Sequence, residues 1–387
     1  MAKNIVILLD GTSNQISSNR SNVLRFYGIL AKSDEQVVYY DPGVGTLGTG
    51  SRFSHYRTKM VELLGLATGY GLDDNVKEAY RFLVENYGSR GADEERDRIY
   101  IIGFSRGAYT ARVLAGFLNA FGLMEKRNLN LLDYAYRAYK RIGEEGQDEA
   151  TAFAEMRLFE RILRPDRAPV RMLGLFDTVA SVIEHGRYGL RLKSHAFTSR
   201  NPSVESVFHA VAIEERRTMF RPVLWEKDQE YRGNPFNAKG ARPQQLKEVW
   251  FPGYHADVGG GHAEEESGLC KVPLVWMIEQ ARTAGLQFTT RSVNSLVLGS
   301  DPASKYVPPN RLGETHDSMN LAWSILEMLP RRKAVCSRRP SIFGWSIPWF
   351  ERRHIPTGAS IHRAVEDRKA AGMGWPKNIP EDFTFVE

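Results

Sequence analysis

The chain reads as an α/β protein: an α/β-hydrolase-like, doubly wound, mostly parallel sheet with helical cap insertions. Three observations predict this. Short apolar runs rich in β-branched residues fall at 4–9, 36–40, 98–103, 170–176 and 247–251, with helical patterns between most of them. The turn Gly103-Phe104-Ser105-Arg106-Gly107 directly follows one such run and opens a helical pattern. Finally, 387 residues, 42% of them hydrophobic, can bury one large core, which favours a single α/β domain with insertions over two separate ones.

Taken in order, the run Ile5-Val6-Ile7-Leu8-Leu9 is cut short by Asp10, so it predicts a first strand and not a signal peptide. No stretch approaches the roughly 18 apolar residues of a spanning helix. The protein is therefore expected in the cytoplasm where it is made, and any export would need other machinery. The glycine-rich stretch from Asp41 to Gly50 lacks the Gly-Lys-Ser/Thr ending of a phosphate cradle and reads as a loop at the rim of a site. Residues 71–87 carry an Asp cap region and apolar positions at 76, 79, 80, 83 and 84, the spacing of a helix. After the strand at 98–103, Ala108, Ala111, Leu114, Ala115, Leu118 and Phe121 recur at helical spacing, the small ones allowing close approach to a sheet. Residues 122–168 predict a helical insertion, and 184–245 mix a helix with a Gly-, Pro-, Asn- and Arg-rich loop; both are read as cap segments.

Composition sets limits on chemistry. Cys270 and Cys336 cannot build a disulfide framework and do not sit at metal-ligand spacing, which points to a reducing environment and structural roles. The net charge of +6 is a mild basic excess. No zinc-finger spacing or aromatic-basic motif accompanies it, so no nucleic acid partner is expected.

The Gly-x-Ser-x-Gly turn makes Ser105 the residue to explain. A serine becomes a nucleophile when its hydroxyl stands clear of the backbone, reaches a base and has donors waiting for the oxyanion; a sharp strand-to-helix turn provides the first and third. In such folds the partners follow in the order serine, acid, histidine, at carboxyl ends of strands. Asp177, at the tip of the run Leu173-Gly174-Leu175-Phe176, is the candidate acid, against the plain alternative of a turn-capping aspartate. His255, between an apolar run and Gly259-Gly260-Gly261, is the candidate base, with His262 and His316 as competitors and His209 read as a packed residue in a helix. Asp257 ranks below Asp177 as the acid and suits a backbone-holding role. For the oxyanion hole the expected donors are the amide of Arg106 and that of Gly11 or Thr12; an ordinary strand-ending turn is the alternative for the latter pair.

The segments Leu9-Asp10-Gly11-Thr12, Tyr40 to Thr46, Gly103 to Ala108, Phe176 to Val179 and Phe251 to Gly261 occur in the order found in the DUF2235 family, and the chain resembles that family over about residues 4–286. The family includes the catalytic domains of type VI secretion phospholipase effectors of the Tle1 type. Its serine, aspartate and histidine fall on Ser105, Asp177 and His255. The resemblance implies ester hydrolysis on glycerophospholipids without metal or organic cofactor, and an immunity protein or the secretion apparatus as partners. A soluble-ester hydrolase and a hydrolase-fold binding or scaffold module are the competing functional readings.

One further segment, 331–356, encloses Ile342-Phe343-Gly344-Trp345-Ser346-Ile347-Pro348-Trp349-Phe350 between Arg331, Arg332, Lys333, Arg338, Arg339, Arg352 and Arg353. Cations flanking aromatic residues suit a membrane interface. The competing expectation is a hydrophobic loop folded onto the body with its arginines in water. Prolines at 340, 348 and 356 exclude one long amphipathic helix.

Overall fold

The computed structural model describes residues 2–11, 19–43, 71–88, 96–142, 149–179, 183–186, 189–192, 195–234, 240–300, 305–333 and 337–387. Eight strands form one sheet: β1 Asn4–Leu9, β2 Gln36–Asp41, β3 Arg98–Phe104, β4 Val170–Phe176, β5 Val204–Ala212, β6 Gln245–Phe251, β7 Ala359–His362 and β8 Phe383–Val386. Their spatial order is β8-β7-β6-β5-β4-β3-β1-β2, and every neighbouring pair is parallel.

Parallel strands need crossovers, and the crossover helices cover both faces, so the central strands read as continuous apolar runs. Side chains along β1 alternate between two cores. Ile5, Ile7 and Leu9 point to one, shared with helix α2 (Leu72–Asn86), helix α3 (Arg106–Ala120) and helix α4 (Leu132–Arg141). Val6 and Leu8 point to the other, shared with α1 (Asn22–Ile29) and with Leu274, Met277 and Ile278 of a helix over Lys271–Thr283. The insertion at 122–168 forms α4 and α5 (Glu149–Leu163), and α4 packs beside α2 and α3.

The strand order reverses at β1: β2 lies on one side of it and β3 on the other. In open parallel sheets the crevice beyond the carboxyl ends of strands at such a reversal is where ligands bind. Ser105 leaves β3 at that place, and Asp10 leaves β1.

Two expectations are corrected here. The segment 184–245, read as a cap with a helix, contains β5, a buried central strand between β4 and β6; His209 lies on it, not on a helix, and its Nδ1 is 2.9 Å from Glu248 Oε2. The sheet also continues past the expected last strand, because β7 and β8 come from residues the sequence pattern left unassigned.

Candidate active site

The strand-to-helix turn holds Ser105 at φ 57°, ψ −120°, outside the usual regions for a residue with a side chain. Such strain persists only where the surroundings fix it, and they do. The Ser105 N–H donates to the Phe176 carbonyl at 3.0 Å. A methyl group on Gly107 would collide with the carbonyls of Leu9 and Asp10, and one on Gly103 with Gly107 and Ala108. Only glycine at both places lets the turn close against β1.

Asp177 also adopts positive φ, 41°, at the end of β4. His255 opens a short helix, α6 (His255–Gly259), after β6. The three side chains meet: His255 Nε2 lies 2.8 Å from Ser105 Oγ and His255 Nδ1 lies 2.5 Å from Asp177 Oδ2. All three are buried. A neutral imidazole with Nδ1–H donating to the carboxylate leaves Nε2 to accept from the serine hydroxyl, so the carboxylate selects the tautomer a general base needs.

Asp177 carries a larger network than its sequence neighbourhood suggests. The Ala212 N–H donates to Oδ1 at 2.9 Å, and Arg353 grips both oxygens, Nη1 to Oδ1 at 2.6 Å and Nη2 to Oδ2 at 2.9 Å. Arg353 also donates to the carbonyls of Ala212 and Phe220. Burial alone would raise the carboxyl's pKa; the Arg353 charge and the His255 hydrogen bond outweigh it and hold the group well below the usual carboxylate range. Burial pushes the His255 pKa down, and the bond to Asp177 opposes this without cancelling it.

Around the imidazole, Phe104 lies 4.8 Å away and Phe220 packs edge-on at 4.9 Å. Glu215 and Arg217 form a buried pair beside it at 2.7 Å, and the His255 N–H donates to Glu215 Oε2 at 3.3 Å. Burial would raise Glu215; the hydrogen bond from Arg217 holds it down at about 2. Arg353, Glu215, Arg217 and Phe220 are absent from the sequence-level candidates. Arg353 corrects the expectation of a cation at a membrane interface or in water: it is buried against the acid.

Asp257 holds the loop. Its Oδ2 accepts the N–H groups of Tyr254 at 2.8 Å and His316 at 3.0 Å, and its Oδ1 lies 2.7 Å from His316 Nδ1. His262 Nε2 lies 3.3 Å from Asp257 Oδ1 and its ring stacks on His316 with centroids 4.1 Å apart. Ligand atoms of Asp257, His262 and His316 lie within 4.8 Å of one another, a set that could hold a metal ion.

For oxyanion donors, Arg106 provides the first amide of α3. The Gly11 amide is a correction: its N–H donates to Asp10 Oδ1 at 2.7 Å, so in this conformation it is committed to the turn. Thr12 lies outside the described residues. The other oxygen of Asp10, Oδ2, accepts from Tyr40 at 2.9 Å and from Ser21.

The fold and the site together define an α/β-hydrolase-like protein whose strand-to-helix turn presents a serine hydroxyl to an imidazole and a buried carboxylate. The chain belongs to the family of T6SS phospholipase effector Tle1-like catalytic domains, whose profile matches residues 3–280. It is similar to an uncharacterized protein of Saccharomyces cerevisiae, 32% identical over 233 residues, covering 58% of this chain and 33% of the yeast protein. Among solved structures it is similar to an uncharacterized protein from Pseudomonas aeruginosa, at 20% identity and TM-score 0.40, covering 74% of this chain and 46% of that one. It is also similar to the Tle1 effector bound to the VgrG spike of the type VI secretion system, at 20% identity and TM-score 0.33, covering 69% and 52%. The chain thus spans a third to about half of the length of these relatives. Among the described residues, no helix is long and apolar enough to cross a membrane.

Proposed function

We propose that the protein is a serine ester hydrolase that cleaves acyl esters of glycerophospholipids. The observation that carries the reading is the continuous path from Ser105 Oγ through the His255 ring to Asp177, at 2.8 and 2.5 Å.

In this reading His255 Nε2 takes the Ser105 proton as Oγ attacks the ester carbonyl. The carbonyl oxygen becomes an oxyanion facing the Arg106 N–H, with Thr12 as the second donor by its place after β1. Asp177, kept ionised by Arg353, steadies the imidazolium. His255 then returns the proton to the leaving alcohol and the acyl group stays on Ser105. Water, deprotonated by the same imidazole, attacks the acyl-enzyme carbonyl and frees a fatty acid. The phospholipid substrate is drawn from the family, as are delivery into a target cell and an immunity or secretion-apparatus partner.

The test is product analysis by mass spectrometry after incubation with purified phospholipid. Free fatty acid and lysophospholipid should form with the native protein and not with folded Ser105→Ala. Turnover confined to short-chain soluble esters would replace the lipid reading with a carboxylesterase. A protein inert on both would be a binding module.

A further inference from the structure

The hairpin after helix α7 (Leu321–Met328) has an unusual tip. Ile342 and Trp345 exchange two backbone hydrogen bonds of 2.9 Å, and the two residues between them, Phe343 at φ 49° and Gly344 at φ 80°, are both in the left-handed region. That is the pattern of a type I′ turn, whose first central position favours Asn, Asp or Gly. Here it is phenylalanine, and 98% of its surface is exposed. Neither the turn nor the core asks for that residue.

Its neighbours share the character. Ile342, Ile347 and Trp349 are exposed on the same hairpin and its return. On α7, Leu321, Ile325, Met328 and the following Leu329 make a stripe at i, i+4, i+7 and i+8 that faces solvent. The two parts are tied together, with Arg331 and Arg332 paired to Ser346 and Trp345, and the Trp349 N–H donating to the Glu327 carbonyl at 3.1 Å. This corrects the expectation of an apolar loop folded onto the body. The inner side of α7 leads to the site: Trp323 packs on Phe220 at 5.4 Å, and Phe220 on His255 at 4.9 Å.

Charge selects the occupant. Between 331 and 354 the chain has seven Arg and Lys against one acid, Glu351, a net of +6 that equals the net charge of the whole protein. Arg353 is used by Asp177; Lys333, whose N–H donates to the Gly344 carbonyl at the hairpin tip, is exposed beside the apolar face, and Arg338 is exposed in the same segment. A second copy would bring like charge against like. A surface of exposed aromatic and aliphatic side chains rimmed by cations fits the headgroup boundary of an anionic bilayer.

We propose that α7 and the Phe343 hairpin form a docking surface for membranes bearing anionic headgroups, holding the Ser105 site at the bilayer. This deepens the phospholipase reading and rests on it for the purpose of docking, but the two are tested separately.

The experiment is co-sedimentation of Ser105→Ala protein, which does not consume the lipid, with phosphatidylcholine vesicles with and without phosphatidylglycerol, monitored also by Trp fluorescence. Expected is binding to the anionic vesicles with a blue shift. Partitioning should fall roughly tenfold or more in Ile342→Glu/Phe343→Glu and about fivefold in Lys333→Gln at low salt. In the Ser105 background the paired substitution should leave short-chain ester turnover unchanged, which also shows that the variant folds. Absence of vesicle binding, equal binding by the paired variant, or a dimer in light scattering that this variant dissolves would each overturn the proposal. Vesicle binding without lipid hydrolysis would leave docking intact and remove the phospholipase reading; lipid hydrolysis in micelles without vesicle binding would do the reverse.

Discussion

Replacing Arg353 with methionine keeps much of its volume and removes its charge. The structure gives the cost. Four hydrogen bonds are lost, two of them to Asp177 at 2.6 and 2.9 Å, and the carboxylate stays buried with the Ala212 amide and His255 as its remaining partners. Breaking a buried ion pair from one side costs about 3–5 kcal/mol. With an unfolding entropy near 2.1 cal/mol/K per residue over 387 residues, that is a fall in Tm of about 4–6 °C. Catalysis should suffer separately, because a loosened Asp177 no longer fixes the His255 ring, and a misplacement of about 1 Å in such a constellation costs on the order of 100-fold. Arg353→Lys should recover part of the stability and little of the geometry, since a single ammonium cannot span both carboxylate oxygens and two carbonyls. Calorimetry and pH-rate profiles on a short-chain ester measure both effects. An Arg353→Met protein with native Tm and native kcat would refute this assignment.

Other outcomes follow from the same geometry. Because burial lowers the His255 pKa from 6.5, the base stays neutral below that value, and native kcat/KM should hold its plateau to below pH 6.5; an acid limb centred above pH 7 would contradict it. Asp177, depressed in the folded state from 3.8, contributes stability that is complete above that pH and fades as pH falls beneath it. Chemical denaturation in that acid range should therefore show a shallower loss for Asp177→Asn than for the native chain. In Gly259→Ala the new methyl would collide with the Phe104 ring, so a loss of about 1–3 kcal/mol is expected in urea melts, together with slower turnover from a displaced His255. A neutral result there would mean that the loop and ring are not packed as described.

Five of the eight strands were legible as apolar runs, since strands buried on both faces leave a continuous signal. The other three were hidden for separate reasons. In β5, Glu205, Ser206 and His209 interrupt the apolar residues and mimic a helical spacing; Glu248 and Gln245 of the neighbouring strand partner His209 and Ser206 inside, and the half-buried Glu205 pairs with Arg171 and Arg242. The strands β7 and β8 are only four residues each, too short for periodicity to register. At the site, Ser105, Asp177 and His255 were readable because each ends an apolar run and chain order restricts the choice. Arg353 was not, being 176 positions from Asp177 and set among other arginines. A faint signal was present: exposed Arg352 and His354 alternate with buried Arg353 and Ile355, a two-residue period that places Arg353 on the inner face. The competing roles of Asp257, His262 and His316 depended on contacts between segments some 60 residues apart, which spacing alone does not encode.

The central claim is that Ser105 Oγ is a nucleophile activated by His255. Labelling with a fluorophosphonate followed by peptide mass spectrometry tests it most directly. One adduct on Ser105 is predicted for the native protein, with labelling slowed by at least about a hundredfold in folded His255→Ala. A folded native protein that takes no adduct, or takes it on another residue with Ser105 unmodified, would contradict the account.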